Sequence, residues 1–330
     1  MLWILFLFLT VVIFLSGKNL VKYGDILAEK LNLGRTIVGI VFVASITSLP
    51  ELITGISAVT YADSPDIAAG DIFGSCMFNL LILALLDGFV RGKPITTKVH
   101  HGLTLSASFG IILITVSAMS IFLRDKIPVL GWVSYSSFFI IALYMLAIWI
   151  ITNYEKRFLI SNIEKAAEEL EYSHISLKET AVKYSINAVI IVFAAALLPK
   201  VGKEIAHQHG MTETFFGTFF MALSTSLPEV SVSIAAIKMN MVTISVANLL
   251  GSNIFNILIL AIDDFFYTKG SLFALMDVDN LFSAGIATIM TAIVIIGLIY
   301  RAEKKMFILA YESVALIGAY LLGVIILYVL

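Results

Sequence analysis

Charged side chains are scarce in this chain. Asp, Glu, Lys and Arg make up 13% of its 330 residues, where a soluble domain carries about 25%. The hydrophobic share is 60%, which excludes an ordinary soluble fold. The balance of 21 basic against 23 acidic residues gives no ground for a nucleic-acid or polyanion partner. One cysteine, Cys76, excludes an internal disulfide and leaves the redox compartment undecided. Histidines number five, with no Cys/His spacing of a zinc site. His100, His101, His207 and His209 fall at the ends of expected helices and read as solvated interfacial groups. Proline occurs six times, and two of those six stand in identical surroundings.

What is abundant is apolar sequence in runs of about 20 residues, the length that crosses a bilayer. Ten spans are expected: 1–20, 36–61, 66–90, 98–123, 128–153, 179–200, 213–238, 242–266, 279–300 and 307–330. The opening Met1-Leu-Trp-Ile-Leu-Phe has neither a basic segment nor a small-residue cleavage site. It reads as the first membrane helix and not as a removable signal. The most polar gap, 154–179, is a charged linker too short for an added domain. It separates 1–153 from 180–330.

Basic residues orient such a chain, because they concentrate in cytoplasmic loops. The gaps after spans 1, 3, 5, 7 and 9 contain sixteen of the 21, among them Lys22, Lys93, Arg157 and Lys305. Arg124, Lys126, Lys200, Lys203 and Lys269 lie on the other side. Both termini are therefore expected outside the cell membrane, with 154–179 in the cytoplasm.

Thr47-Ser48-Leu49-Pro50-Glu51 recurs unchanged as Thr225-Ser226-Leu227-Pro228-Glu229, 178 residues later. After a one-residue indel, Gly74-Ser75-x-x-Phe78-Asn79 recurs as Gly251-Ser252-x-x-Phe255-Asn256, and ten of sixteen positions match between 74–89 and 251–266. Five spans separate the copies. Since five is odd, the second copy must enter the membrane upside down. The expected fold is thus all-α and integral to the membrane: ten helices in two inverted five-helix repeats, helices 2 and 7 being broken. Such folds bind their cargo near midplane, between repeats.

The chemistry follows from the motif. Pro50 lacks an N–H and its ring clashes with the carbonyl of Ile46; Pro228 does the same to that of Ser224. Carbonyls around Ala44 and Ala222 are expected to lose partners, which a membrane tolerates only in a protein interior or a wet cavity. Thr47 and Glu51 share a helix face, as do Thr225 and Glu229. Ser75 and Asn79, and likewise Ser252 and Asn256, are i,i+4 pairs. Carboxylates at membrane depth mark ion or substrate paths. The donor set contains carboxylates, amides, hydroxyls and carbonyls, with neither sulfur nor imidazole. Hard cations suit it, above all Ca²⁺ with its 6–8 flexible oxygen ligands. Two ionised glutamates balance one Ca²⁺ or two Na⁺, so a third Na⁺ would rest on neutral oxygens.

A solitary kink of this kind is as easily a bend as a site; two identical copies, each followed by its partner motif, favour the site. Asp71 stands one turn before Ser75, where the second copy has Asn248. It reads as an added cation ligand, a proton-linked group or a structural carboxylate. Asp25, Asp87, Asp263 and Asp264 fall near span ends and read as solvated or snorkelling. Glu312 reads as interfacial.

These motifs resemble those of the cation/calcium antiporter superfamily, most closely its prokaryotic sodium/calcium exchanger branch. Its two α-repeats correspond to 39–89 and 217–266. The resemblance implies that Glu51 and Glu229 are the central carboxylates. Beside them it places Thr47, Ser48, Thr225, Ser226, Ser75, Asn79, Ser252 and Asn256, with the Ala44 and Ala222 carbonyls serving Na⁺. It also implies alternating access, in which spans 1 and 6 slide over the other eight. Departures are Ile46 and Ser224 in place of the usual Gly, and Cys76 where Asn is usual. Asn256 replaces the Asp of some relatives, which speaks against potassium co-transport. The Ser-Leu-Pro-Glu pattern favours Na⁺ as driving ion, whereas Asp71 keeps H⁺ coupling open. The expectation is an antiporter exchanging Na⁺ for Ca²⁺ and not an enzyme. It needs no cofactor and works as a monomer in the lipid bilayer. The alternatives are a proton-coupled divalent-cation exchanger and, further off, an intramembrane carboxylate enzyme.

Overall fold

The computed structural model describes residues 1–30, 46–124, 126–162 and 176–330. Almost all of this is helix: α1 Leu2–Lys30, α2 Leu49–Thr60, α3 Pro65–Asp87, α4 Leu103–Phe122, α5 Tyr135–Asn162, α6 Leu177–His209, α7 Glu213–Thr225, α8 Leu227–Lys238, α9 Val242–Phe266, the single turn α10 Leu272–Leu275, α11 Asn280–Tyr300 and α12 Tyr311–Val329. Among the described residues eight helices are long and apolar enough to cross a membrane, and α7 with α8 makes a ninth span bent by 45°. The expected second span, 36–61, is described from Ile46 onward, so its first half, with Ala44, lies outside the described residues.

Two expectations about boundaries change. Residues 128–134 do not begin a helix. They form the antiparallel hairpin of β1 Val129–Leu130 and β2 Val133–Ser134, because Pro128 and Gly131 (φ +67°) interrupt the apolar run. The helices α1 and α6 extend well past 1–20 and 179–200. Lys, Asp and Glu in their extra turns are compatible with helix and simply carry it beyond the apolar belt.

Contacts between loops fix the direction of each helix. At one end, Trp3 meets His209, Phe215 meets Tyr328, Lys203 reaches the carbonyls of Ala62 and Asp63, Lys269 pairs with Asp63, and Arg124 reaches Met276 O. At the other end, Arg301 donates to Val99 O, Lys305 pairs with Asp87, and His100 lies against Tyr154. We call these the termini end and the linker end. The helix α2 finishes at the termini end and α7 starts there, so the two copies of the pentapeptide run in opposite directions through the protein.

The two helices that carry Gly-Ser-x-x-Phe-Asn are the centre of the fold. Burial covers 89% of the apolar stretch of α3 and 78% of that of α9, against 22% for α6. Outer helices expose Phe8, Phe193, Ile289 and Ile325, the apolar surface that a bilayer accepts. Close packing in the centre depends on glycine: a Cβ on Gly70 would strike Gly217 Cα at 2.9 Å, and one on Gly74 would strike the backbone of Thr218. That partner segment, Gly217–Met221, is a π-helical turn in which Ala222 N–H bonds Gly217 O, a device common at functional sites.

Candidate functional site

Both pentapeptides break their helices at the same residue. Ser48 has φ −87°, ψ 14° and Ser226 φ −87°, ψ 8°, and a new helix starts at Leu49 and at Leu227. Proline is harmless there, since a first-turn N–H has no helical partner anyway. Glu51 and Glu229 sit in the first turns of α2 and α8, where the helix dipole favours negative charge. Neither is exposed to solvent, and the same is true of Thr47, Ser48, Asp71, Ser75, Asn79, Ala222, Thr225, Ser226, Ser252 and Asn256.

The side chains form two mirrored groups, each drawing on both halves of the chain. In the first, Ser226 Oγ donates to Glu51 Oε1 at 3.1 Å and lies 3.0 Å from Ser75 Oγ. Ser75 Oγ is 3.5 Å from Thr225 Oγ1, which donates to Asp71 Oδ1 at 2.8 Å. In the second, Ser48 and Ser252 each reach Glu229 Oε1 at 3.5 Å, and Thr47 Oγ1 is 3.3 Å from Ser252 Oγ. At the place of Asp71 this group has Asn248, whose amide atoms make no hydrogen bond among the described residues. Between the groups, Asn79 Nδ2 donates to Asn253 Oδ1 at 2.9 Å and Asn253 Nδ2 to Cys76 O at 3.1 Å.

The second oxygens of Glu51, Glu229 and Asp71, with Asn79 Oδ1 and Asn256 Oδ1, accept nothing from the described residues. Buried oxygens are ordinarily satisfied, so this set is open to a cation that brings charge as well as coordination. It contains three carboxylates, Glu51, Glu229 and Asp71, beside two amide oxygens. Among the described residues no three His, Cys, Asp or Glu side chains converge as a resident metal centre.

One candidate behaves otherwise than expected. The Ala222 carbonyl is not freed by the break: it accepts from Ser226 N at 3.1 Å and lies 3.4 Å from Thr225 Oγ1. The proline four residues after Ser224 frees the Ser224 carbonyl instead.

Three carboxylates read as solvated are fully buried: Asp87, Asp263 and Asp264. Asp87 accepts from Ile95 N, Ala310 N and Ser313 Oγ, and pairs with Lys305 at 2.9 Å. Asp264, its counterpart 177 residues on, accepts from Ser134 N, Ser137 Oγ and Leu272 N. Each ties two loops to the end of a central helix. Glu312, read as interfacial, accepts from Thr96 Oγ1 at 2.6 Å.

The profile of the family described as "Sodium/calcium exchanger protein" matches residues 1–154 and 185–329. The chain belongs to that family. A curated relative, the Inner membrane protein YrbG of Escherichia coli (strain K12), is 25% identical over 256 residues, 74% of this chain and 73% of its own. A structure of the H+/Ca2+ exchanger CAX superposes with a TM-score of 0.70 at 12% identity, covering 99% of this chain and 86% of that one. One of the sodium-calcium exchanger NCX_Mj superposes at 0.61 with 19% identity, covering 98% and 99%. At such identities the likeness is one of fold. This is a multi-pass membrane transporter of the sodium/calcium exchanger family.

Proposed function

We propose that this exchanger moves Ca²⁺ against Na⁺ by alternating access, the two ions competing for the oxygens around Glu51 and Glu229. The observation that carries the reading is the crossed pairing of serine and glutamate between the two pentapeptides. It makes one buried cluster out of both halves, over which α1 and α6 slide to change the side from which the ion is met. Membership in the family supports it, as do the oxygens of Glu51 and Glu229 that no described residue hydrogen-bonds. Lys and Arg enrichment at the linker end makes that end cytoplasmic.

The test is Na⁺-dependent ⁴⁵Ca²⁺ uptake into proteoliposomes. Wild type is expected to take up Ca²⁺ when Na⁺ is loaded inside, and Glu51→Gln and Glu229→Gln are expected to lose it. Uptake at wild-type rate in both variants overturns the assignment. A proton-coupled cycle is the second reading. Asp71, an added carboxylate hydrogen-bonded to Thr225, favours it. Ca²⁺ uptake driven by a pH gradient in Na⁺-free medium would select it.

A further inference from the structure

Asp263 is the one buried carboxylate in α9 that the fold does not use. Neither of its oxygens has a hydrogen-bond partner among the described residues, and it is fully buried. The adjacent Asp264 shows what a structural carboxylate looks like here, with two backbone N–H groups and a hydroxyl on its oxygens. Asp263 instead lies against Gly55 of α2, its carboxylate in the space a Cβ at Gly55 would need. Thr54 Oγ1, on the residue before that glycine, is buried and also without a partner.

The feature belongs to one side of the membrane. Under the internal repeat, Asp263 corresponds to Leu86, Gly55 to Ser233 and Asp71 to Asn248. The linker-side half of the protein therefore has no carboxylate at these places, and the termini-side half has two. Helix rise of 1.5 Å per residue orders them. Glu51 lies about 13 Å from the termini end of α2, Asp71 about 9 Å from that end of α3, and Asp263 about 4 Å from that end of α9. The three descend in steps from the central cluster toward one surface.

The surroundings decide what Asp263 holds. The charges that bear on it are those of Asp71 on α3 and Asp264 on its own helix. From α2 it meets glycine, Glu51 being one turn deeper. Glu229 of α8 lies in the first turn of that helix, at the central cluster. The helices α4 and α10 and the strand β2 contain no ionisable side chain. The helix α5 carries Tyr135 at this end and Tyr144, which packs on Phe255 two turns away. The helix α3 carries Asp66 in its first turn, where it accepts from Asp277 N and Asn280 Nδ2. A buried carboxylate with no cationic partner is neutral or holds a cation. Neither Asp263 oxygen has a hydrogen-bond partner among the described residues and both press against Gly55, so no ready shell of oxygens surrounds them and the neutral, protonated form is favoured.

We propose that Asp263 is a proton-binding station on the path between the central cluster and the termini side. Its carboxyl O–H is intact while the path is empty. When a divalent cation enters, the O–H bond breaks, the electron pair stays on the carboxylate and the proton leaves to the termini-side water. Exchange at that face then carries a proton component that the linker face lacks. The inference presupposes the cation site at Glu51 and Glu229.

The experiment uses full-length protein in detergent, weakly buffered with a pH-indicating dye, with CaCl₂ as the probe. Wild type is expected to release protons on Ca²⁺ addition, and Asp263→Asn about one fewer per chain, with a flatter pH dependence of ⁴⁵Ca²⁺ binding. Asp263→Leu, which installs the residue of the mirrored position, should behave alike, while Asp264→Asn should leave the release unchanged. Unaltered release in both Asp263 variants, with Ca²⁺ still bound, overturns the station alone. Loss of one bound Ca²⁺ per chain with unchanged proton release also overturns it, in favour of a metal ligand. Absence of any Ca²⁺ binding in wild type overturns the cation site and the station together.

Discussion

Ser226 of the second pentapeptide donates to Glu51 of the first at 3.1 Å, while the mirrored bond, Ser48 to Glu229, is stretched to 3.5 Å. The two halves are alike in sequence here, so the difference is one of position: Ser226 is also drawn to Ser75, at 3.0 Å. A hydrogen bond to a charged acceptor contributes about 1.5–3 kcal/mol, and one at 3.5 Å far less. Ser226→Ala is therefore expected to weaken cation binding by about 10-fold or more, and Ser48→Ala by less. Equilibrium ⁴⁵Ca²⁺ binding to the purified variants measures both. Equal losses would mean that the hydroxyls act as ion ligands of equal rank and not through the glutamates.

The glycines facing the π-helical turn make a separate prediction about stability. Methyl groups at Gly70 or Gly74 would meet backbone, which cannot rotate aside. Overpacking of this kind costs about 1–3 kcal/mol, so Gly70→Ala and Gly74→Ala should lower the Tm in detergent. A Cβ at Gly285 meets nothing within 4 Å, and Gly285→Ala should be neutral or stabilising, since alanine is the better helix former. Thermal unfolding followed by intrinsic fluorescence separates the three.

How much of this could be read from the chain depended on whether the signal was local. Thr47–Glu51 and Thr225–Glu229 were legible because a kink, a carboxylate and two hydroxyls are written within five letters, and repeated. The inverted order followed from counting spans, and the loop contacts agree with it. Asp87 was misread because its partners, Ala310 N and Lys305, are more than two hundred residues away. A carboxylate at a helix end has the same sequence whether water or a distant loop satisfies it. The hairpin at 129–134 was hidden in an apolar run, and the hydrogen bond from Ser226 N to Ala222 O survives a break that sequence places too close to it. Asp263 was discounted because it falls near a span end, although its counterpart in the first repeat, Leu86, carries no charge.

Asp87 and Asp264 test that correction. Both tie loops, but Asp87 also faces the buried ammonium of Lys305, 6% exposed. Removing one partner of a buried pair leaves the other uncompensated, at about 3–5 kcal/mol. Asp87→Asn should thus destabilise more than Asp264→Asn, and Lys305→Met in the Asp87→Asn background should recover part of the loss. A double-mutant cycle on Tm or on proteolysis of the 301–310 loop reads the coupling.

At the termini end, the Lys269 ammonium bonded to Asp63 holds that carboxyl below the usual carboxylate range. A carboxyl whose folded value is depressed stabilises the fold above its unfolded value, near pH 4, and loses that contribution as pH falls through the folded one. Both groups are largely exposed, so screening keeps the effect small. Asp63→Asn should lower the Tm slightly at neutral pH, less in high salt, and the difference should disappear in acid. A Tm gap that persists below pH 3 would show that Asp63 acts through its packing instead.

Cys76 explains an imbalance at the centre of the site. Asn79 bonds the side chain of Asn253, yet its counterpart Asn256 faces Cys76, the position equivalent to Asn253, and finds no amide oxygen there. Asn256 thus has the weaker Cys76 thiol beside its side chain, while its mirror image, Asn79, is held by an amide oxygen. Cys76→Asn should restore the second bond, stabilising the fold by about 0.5–1.5 kcal/mol, since the mirrored pocket already accommodates asparagine. It should also fix the orientation of Asn256 beside the carboxylates and so alter the rate of exchange more than the affinity for Ca²⁺. Tm and ⁴⁵Ca²⁺ flux measured on the same preparation test both halves of the argument. A lower Tm would show that the Cys76 side is too tight for the larger residue, and that the two halves differ in packing as well as in chemistry.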